Sequence, residues 1–266
     1  ANGRVTMLAL TGILTGASRT LPAATPRIFV RRAVFSRNID TWCRRAGLTS
    51  MRASGDIRED KSYDAGEVFE IMQPPPTNHN GFGTAIGTGQ GKGRAAVHRD
   101  GDWHHSVHVW VHDPRTNSVL VQRRSKYKDT NPDMFDVSAA GHIAMGDDAL
   151  ETAVREMEEE LGILTDEVYL TKLFTAISEA SGETEKHGKY LCREFQEVYL
   201  VDIEQVEKSA LSPVEIKVAD GEVEEAKWIP QEDLISALIT SDSTYVPRSN
   251  SYVQGLAKAL GMPIKA

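Results

Sequence analysis

The chain has 266 residues, 40% of them apolar and only 7% aromatic, which is enough for one large or two small domains with a real core. No run of 18 apolar residues occurs and nothing repeats at a fixed period, so neither a membrane-spanning helix nor a solenoid is expected. Two cysteines, Cys43 and Cys192, make neither a disulfide framework nor a metal-binding pair, and a reducing compartment is the simpler inference.

The net charge of −8 is divided unevenly. Residues 1–55 hold nine Arg, no Lys and one acidic residue, Asp40, which leaves 21 basic and 37 acidic residues for 56–266. An Arg-rich, Ser/Thr-rich, acid-poor start is the composition of an organellar transit segment, with plastid ahead of mitochondrion on hydroxyl content. The alternative is a basic arm that binds something anionic, in which case a cytoplasmic location follows. The numbering opens on Ala1, so a different native start is expected. A main body this acidic argues against binding to a nucleic-acid duplex.

In chain order, residues 56–94 read as a Gly/Pro-rich linker with short ordered pieces. Asp64–Gln73 fits a short strand or a helix, and the six glycines of 81–93, just after Pro74–Pro76, read as flexible. A phosphate-cradling loop at Gly87–Gly93 fits neither the Walker spacing nor a dinucleotide fingerprint. From about residue 95 the pattern is regular. Strands are predicted at His105–His112, Ser118–Gln122 and Phe135–Ala139, the first two joined by the Pro-containing turn Asp113–Asn117. A helix over Asp148–Leu161 comes next, then strands near Val168–Phe174, Phe195–Val201 and Ala226–Ile229. Pro230 opens a helix running to about Ile239, and a last helix spans Asn250–Leu260 with Gly261 as its cap. Hairpin strands with helices on the faces make an α/β sandwich with a mixed sheet, preceded by a poorly ordered N-terminal segment.

The helix over Asp148–Leu161 carries the chemistry. At about 100° per residue, Leu150, Ala153, Val154, Met157 and Leu161 form one apolar stripe. Glu156, Glu159 and Glu160 gather on the neighbouring arc, where like charges at i, i+3 and i+4 repel. Glu151 and Glu158 project from the outer arc and suit a plain solvated face. The cluster of three calls for something positive, and a hard divalent cation held by carboxylates and substrate phosphates fits.

The segment Gly141–Ile163 resembles the Nudix box. Gly141, Arg155, Glu156, Met157, Glu159, Glu160, Gly162 and Ile163 occupy eight of its nine fixed positions, and Asp147 stands where the pattern asks for Glu. The resemblance implies the Nudix fold over roughly 95–262 and hydrolysis of a diphosphate joined to another moiety, dependent on Mg²⁺ or Mn²⁺. It implies Glu156, Glu159 and Glu160, with Gly141, as the metal site, and Arg155 orienting Glu159. The general base would be Glu159 or a carboxylate from a later loop. Gly141 suits a tight loop backbone, and Gly162 a left-handed helix cap.

Two further groups attach to this site. Arg123, Arg124 and Lys128 follow a strand that points toward the same end of the sheet, and guanidinium forks match phosphate oxygens, so they are expected as substrate clamps. A solvated basic turn is the alternative. Six of the eight histidines, His98, His104, His105, His108, His112 and His142, lie at or just ahead of the site region, with His108 and His112 expected to be structural. The stretch Trp103–Trp110, then Leu120–Ser125, Lys128, Pro132 and Ala140-Gly141-His142, resembles the branch of the superfamily that contains isopentenyl-diphosphate isomerase. That branch implies a second metal site at His98, His104 and His142, with His105 as a substitute for its neighbour. Its catalytic Cys, however, is replaced by Ala140, which supplies neither acid nor base.

The expected function is therefore a Mg²⁺- or Mn²⁺-dependent Nudix-type hydrolase acting on a prenyl diphosphate or a nucleoside diphosphate derivative. The alternatives are isomerase-type activity without the Cys, and a diphosphate-binding module without turnover. The partner is a small-molecule diphosphate, with no nucleic-acid duplex or membrane, and the oligomeric state is open, with a homodimer allowed. The loops Ser178–Gly188 and Ser209–Asp220 are expected to hold selectivity and carry no readable signature.

Overall fold

The computed structural model describes residues 66–128, 130–184 and 188–263; the transit-like composition of 1–55 falls outside them. A seven-stranded mixed sheet forms the centre. Its spine is β3 (Trp103–Asp113), which pairs in parallel with β8 (Gly188–Asp202) and antiparallel with β4 (Ser118–Arg124) and β6 (Ala139–His142). Outside these lie β7 (Leu170–Thr184) against β8, and β5 (Phe135–Asp136) and β9 (Val223–Pro230) against β4.

Helices cover both faces. On one, α2 (Ala149–Leu161) and α3 (Ile203–Ala210) bury Ala153, Met157, Leu161, Ile203 and Val206 against Val107, Val109, Val111 and Leu120. On the other, α4 (Gln231–Ile239) and α5 (Asn250–Ala259) bury Leu234, Leu238, Tyr252 and Leu256 against Trp110, Val119, Val121 and Val137. Because side chains alternate across a strand, odd-numbered β3 residues from 107 to 111 face α2, while His104, His108 and Trp110 face the other way. Coverage on both sides makes β3 almost wholly apolar or buried, as a central strand must be.

The capping chemistry follows the residue types. Asp148 accepts hydrogen bonds from the Leu150 and Glu151 amides to start α2, and Gly162, at φ +66°, ends it. Leu150 and Val154 are only partly buried at the edge of the stripe.

Several expectations need correction. Residues 87–93 form strand β2 (Gly87–Gly93) against β1 (Val68–Met72), rather than flexible linker, because backbone pairing needs no side chains; β1 also decides the open reading of Asp64–Gln73. A short helix, α1 (Arg94–Asp100), follows, stopped by Gly101 at φ +71°. Ser178–Gly188 is not a loop, since Ser178–Thr184 and Gly188–Glu194 are the arms of the β7–β8 hairpin. The single strand expected at Phe135–Ala139 divides in two, because Ser138 turns its hydroxyl inward to donate to the Leu120 carbonyl and accept from the Val111 amide. Helix α3 was not foreseen.

Candidate active site

The three carboxylates of α2 do not share one environment. Glu160 is buried, and its Oε2 accepts hydrogen bonds from the Ala140 amide at 2.9 Å and from Gln122 Nε2 at 3.0 Å. Burial lifts its carboxyl to about pKa 7, against the pull of the Ala140 amide, Lys128 and Gln122. Glu156 is lifted to about 8 by burial and by the charges of Glu160 and Glu159. Glu159 stays exposed at the solvent edge. Glu222, in the loop before β9, acts on both Glu156 and Glu160 as a further negative charge. Sequence reading left that later-loop carboxylate unnamed and missed Gln122.

Gly141 earns its place differently from the expectation. Its φ is not positive; it is a regular strand residue opposite Val107. A Cβ there would overlap the Glu156 carboxyl group, so only glycine lets that group reach the sheet.

Arg155 also departs from the expectation that it orients Glu159. Its guanidinium donates to Asp147 at 3.1 Å and lies 3.8 Å from Glu156. Asp147, the one mismatched position, thus ties the loop to the helix from outside the carboxylate cluster. Of the three expected clamps, Arg124 is spent internally, donating to the Thr130 carbonyl and to Asp136. Among the described residues, Arg123 makes long contacts, 3.5 Å each, to Asp133 and Glu225. Lys128 lies 3.7 Å from Glu222, beside the carboxylates.

On the opposite face, His98 of α1, His104 of β3 and His142 of β6 converge, with ligating nitrogens all within 4.8 Å of one another. His105 does not substitute, because its ring faces the other side and contacts Glu197 at 3.1 Å. His108 is buried against the Tyr252 hydroxyl at 3.0 Å, in keeping with a structural role. Phe69 of β1, fully buried, stacks on His142 and His104 with ring centroids 4.6 and 5.4 Å away. Burial pulls His98 down to about 4 and His142 to about 3, so both are neutral imidazoles at pH 7.

Two residues of β8 join them. Glu194 Oε1 lies 3.2 Å from His142 Nε2 and 3.5 Å from His104 Nε2, and Cys192 Sγ lies 3.3 Å from that same oxygen. The sequence offers no metal-binding pair of cysteines and assigns Cys192 no part in a site. The signal was available in the alternation of Cys192, Glu194 and Gln196 on one face of a strand.

A model described as NUDIX domain matches residues 102–248. Nudix hydrolase 3 of Arabidopsis thaliana is 39% identical over 163 residues, covering 60% of this chain and 20% of that protein. An uncharacterized Nudix hydrolase of Clostridium acetobutylicum is 47% identical over 74 residues, 27% of this chain and 35% of the other. The chain therefore spans about a fifth to a third of these relatives' lengths. The crystal structure of DR0079 from Deinococcus radiodurans superposes with a TM-score of 0.46 at 18% identity, covering 73% of this chain and 98% of that one.

Proposed function

The chain belongs to the Nudix family, and on that premise we propose that it is a divalent-metal-dependent hydrolase of an organic diphosphate. The observation that carries this reading is the pair of carboxyls, buried Glu160 and partly buried Glu156, both pushed toward neutral pKa mainly by burial, Glu156 also by the charges of Glu160 and Glu159, and Glu160 by that of Glu222. Burying two like charges side by side is costly unless a cation joins them. An all-oxygen donor set suits Mg²⁺ or Mn²⁺, so Glu156, Glu159 and Glu160 would hold the ion. When bound, such an ion neutralises charge building on the phosphate leaving group and makes the attacking water more acidic.

The chain's own residues do the rest. The Ala140 amide and Gln122 fix Glu160, and the bare Cα of Gly141 leaves room for Glu156. Glu159, which faces solvent, would take the proton of the attacking water and pass it on, with Glu222 as the later-loop alternative. Arg123 and Lys128 would meet phosphate oxygens, while Arg124 serves the fold. The partner is a small-molecule diphosphate, prenyl or nucleoside-linked.

We further place the chain in the branch related to isopentenyl-diphosphate isomerase, supported by the meeting of His98, His104 and His142, which would hold a second metal ion. The isomerase reaction itself is disfavoured. Ala140 lies opposite His108, which pairs with Val198, whereas Cys192 is six residues away along β8, roughly 20 Å at strand rise. Cys192 therefore cannot replace the missing acid at Ala140. Residues 1–55 support a plastid location, mitochondrion second.

The test is a screen of prenyl and nucleoside diphosphates with Mg²⁺ and Mn²⁺, repeated with Glu159→Gln and Glu160→Gln. Phosphate release that collapses in both variants supports the reading; unchanged turnover sinks the metal assignment. Isopentenyl diphosphate converted to dimethylallyl diphosphate without phosphate release would favour the isomerase instead.

A further inference from the structure

We propose that Cys192 completes a mixed nitrogen, oxygen and sulfur site with His98, His104, His142 and Glu194, and that this site takes a thiophilic divalent ion of the Zn²⁺ class rather than the hard ion of α2. The proposal deepens the second-metal reading above and rests on it.

Two triads of candidate ligands, His98 with His104 and His142, and His104 with Cys192 and Glu194, meet at His104. Bonds of about 2.0–2.3 Å place adjacent ligand atoms about 3.3–3.8 Å apart at tetrahedral angles and about 2.8–3.3 Å apart at the right angles of a five-ligand shell. Glu194 Oε1 lies 3.2 Å from His142 Nε2, 3.5 Å from His104 Nε2 and 3.3 Å from Cys192 Sγ. Cys192 Sγ and His104 Nε2 are 3.9 Å apart.

Outer contacts aim these atoms inward. His104 Nδ1 is 3.1 Å from the Asp102 carbonyl, so that nitrogen carries the proton and Nε2 presents its lone pair to Glu194 and Cys192. Gln196 Nε2 donates to the other Glu194 oxygen at 2.7 Å, fixing the carboxylate's rotation. His142 Nε2 is buried and faces Glu194 Oε1 at 3.2 Å. An imidazole nitrogen held beside a carboxylate under Phe69 is the arrangement that two ligands of one cation take.

Sulfur decides the kind of ion. Mg²⁺ and Mn²⁺ prefer oxygen, whereas imidazole with thiolate suits Zn²⁺. On binding, the sulfur–metal bond replaces the S–H bond and the proton leaves to solvent; no oxidant or reductant is involved. The ion would clasp α1, β3, β6 and β8, and β6 is the strand whose other face meets Glu156 and Glu160.

The test uses the full chain with Cys43→Ser, which leaves Cys192 as its sole thiol. After chelator treatment, Co²⁺ is titrated as the optical probe. The expected result is a thiolate-to-cobalt charge-transfer band that saturates at one equivalent and is displaced by Zn²⁺ but not by Mg²⁺. Cys192→Ser should abolish the band and weaken Zn²⁺ binding by more than the roughly 10–100-fold that loss of an outer-shell partner costs. Should that variant fold poorly, protection of Cys192 from a thiol reagent by Zn²⁺ in the Cys43→Ser protein reads the same contact. Cobalt uptake without the band, or unprotected Cys192, overturns the sulfur ligand, and no uptake overturns the site. The band should persist in Glu159→Gln, so it survives even where hydrolysis fails, and the two readings fall separately.

Discussion

The two faces of β6 solve the same electrostatic problem with different atoms. Toward α2, Gly141 and the Ala140 amide meet oxygen donors that come from one helix and are four residues apart. Toward the opposite face, His142 meets imidazoles, a carboxylate and a thiol supplied by α1, β3 and β8. The first is a local arrangement that a helix repeat builds automatically; the second exists only after the sheet has assembled. Donor hardness divides the two faces, and with it the ions each should prefer.

The sharpest way to break this contrast is Glu160→Gln. Loss of a charge that would hold the ion should cut kcat by roughly 10²–10³-fold, the scale of losing one preorganised electrostatic group. Cobalt uptake at the histidines should be untouched, and a parallel loss there would erase the distinction. Gly141→Ala should be next, at about 10²-fold in kcat with the fold retained by circular dichroism, because a small displacement of a reacting group is enough. Full activity in that variant would show that Glu156 has no need to reach the sheet.

The pH dependence of the metal-free protein sharpens the same point. Glu156 is raised from 4.5 to about 8, so between those values the folded chain holds a proton that the unfolded chain has lost. Stability is therefore greatest below about pH 4.5 as far as this group is concerned. It should fall by up to about 1.4 kcal/mol per pH unit as pH rises toward 8. Glu156→Gln should flatten that slope in urea melts, whereas an unaltered slope would assign the burden to other groups. Smallest of all is Asp147→Glu. The Asp147–Arg155 pair is surface-exposed, and restoring the longer side chain should shift stability by no more than about 0.5 kcal/mol.

What could be read in advance follows the same division. The helix, its caps and its acidic arc were legible because 3.6-residue periodicity is local, and Asp148 and Gly162 behave as their types dictate. The three histidines were reached only through resemblance, since residues 98, 104 and 142 share no local period. Glu194 and Cys192 were missed because their partners arrive through the parallel β3–β8 pairing, which no short window reveals. The glycine-rich β2 and the Ser/Gly-containing arms of the β7–β8 hairpin carry turn chemistry in their sequence. Ladder hydrogen bonds outweigh it.

Strand β6 is only four residues long, yet it forms the common wall of both pockets. A wall that thin makes the pockets thermodynamic neighbours. Any effect that filling one has on the affinity of the other must be returned in equal measure, because linkage between two binding equilibria is reciprocal. With both sites filled as proposed, supply of the scarcer ion would tune affinity for the abundant one.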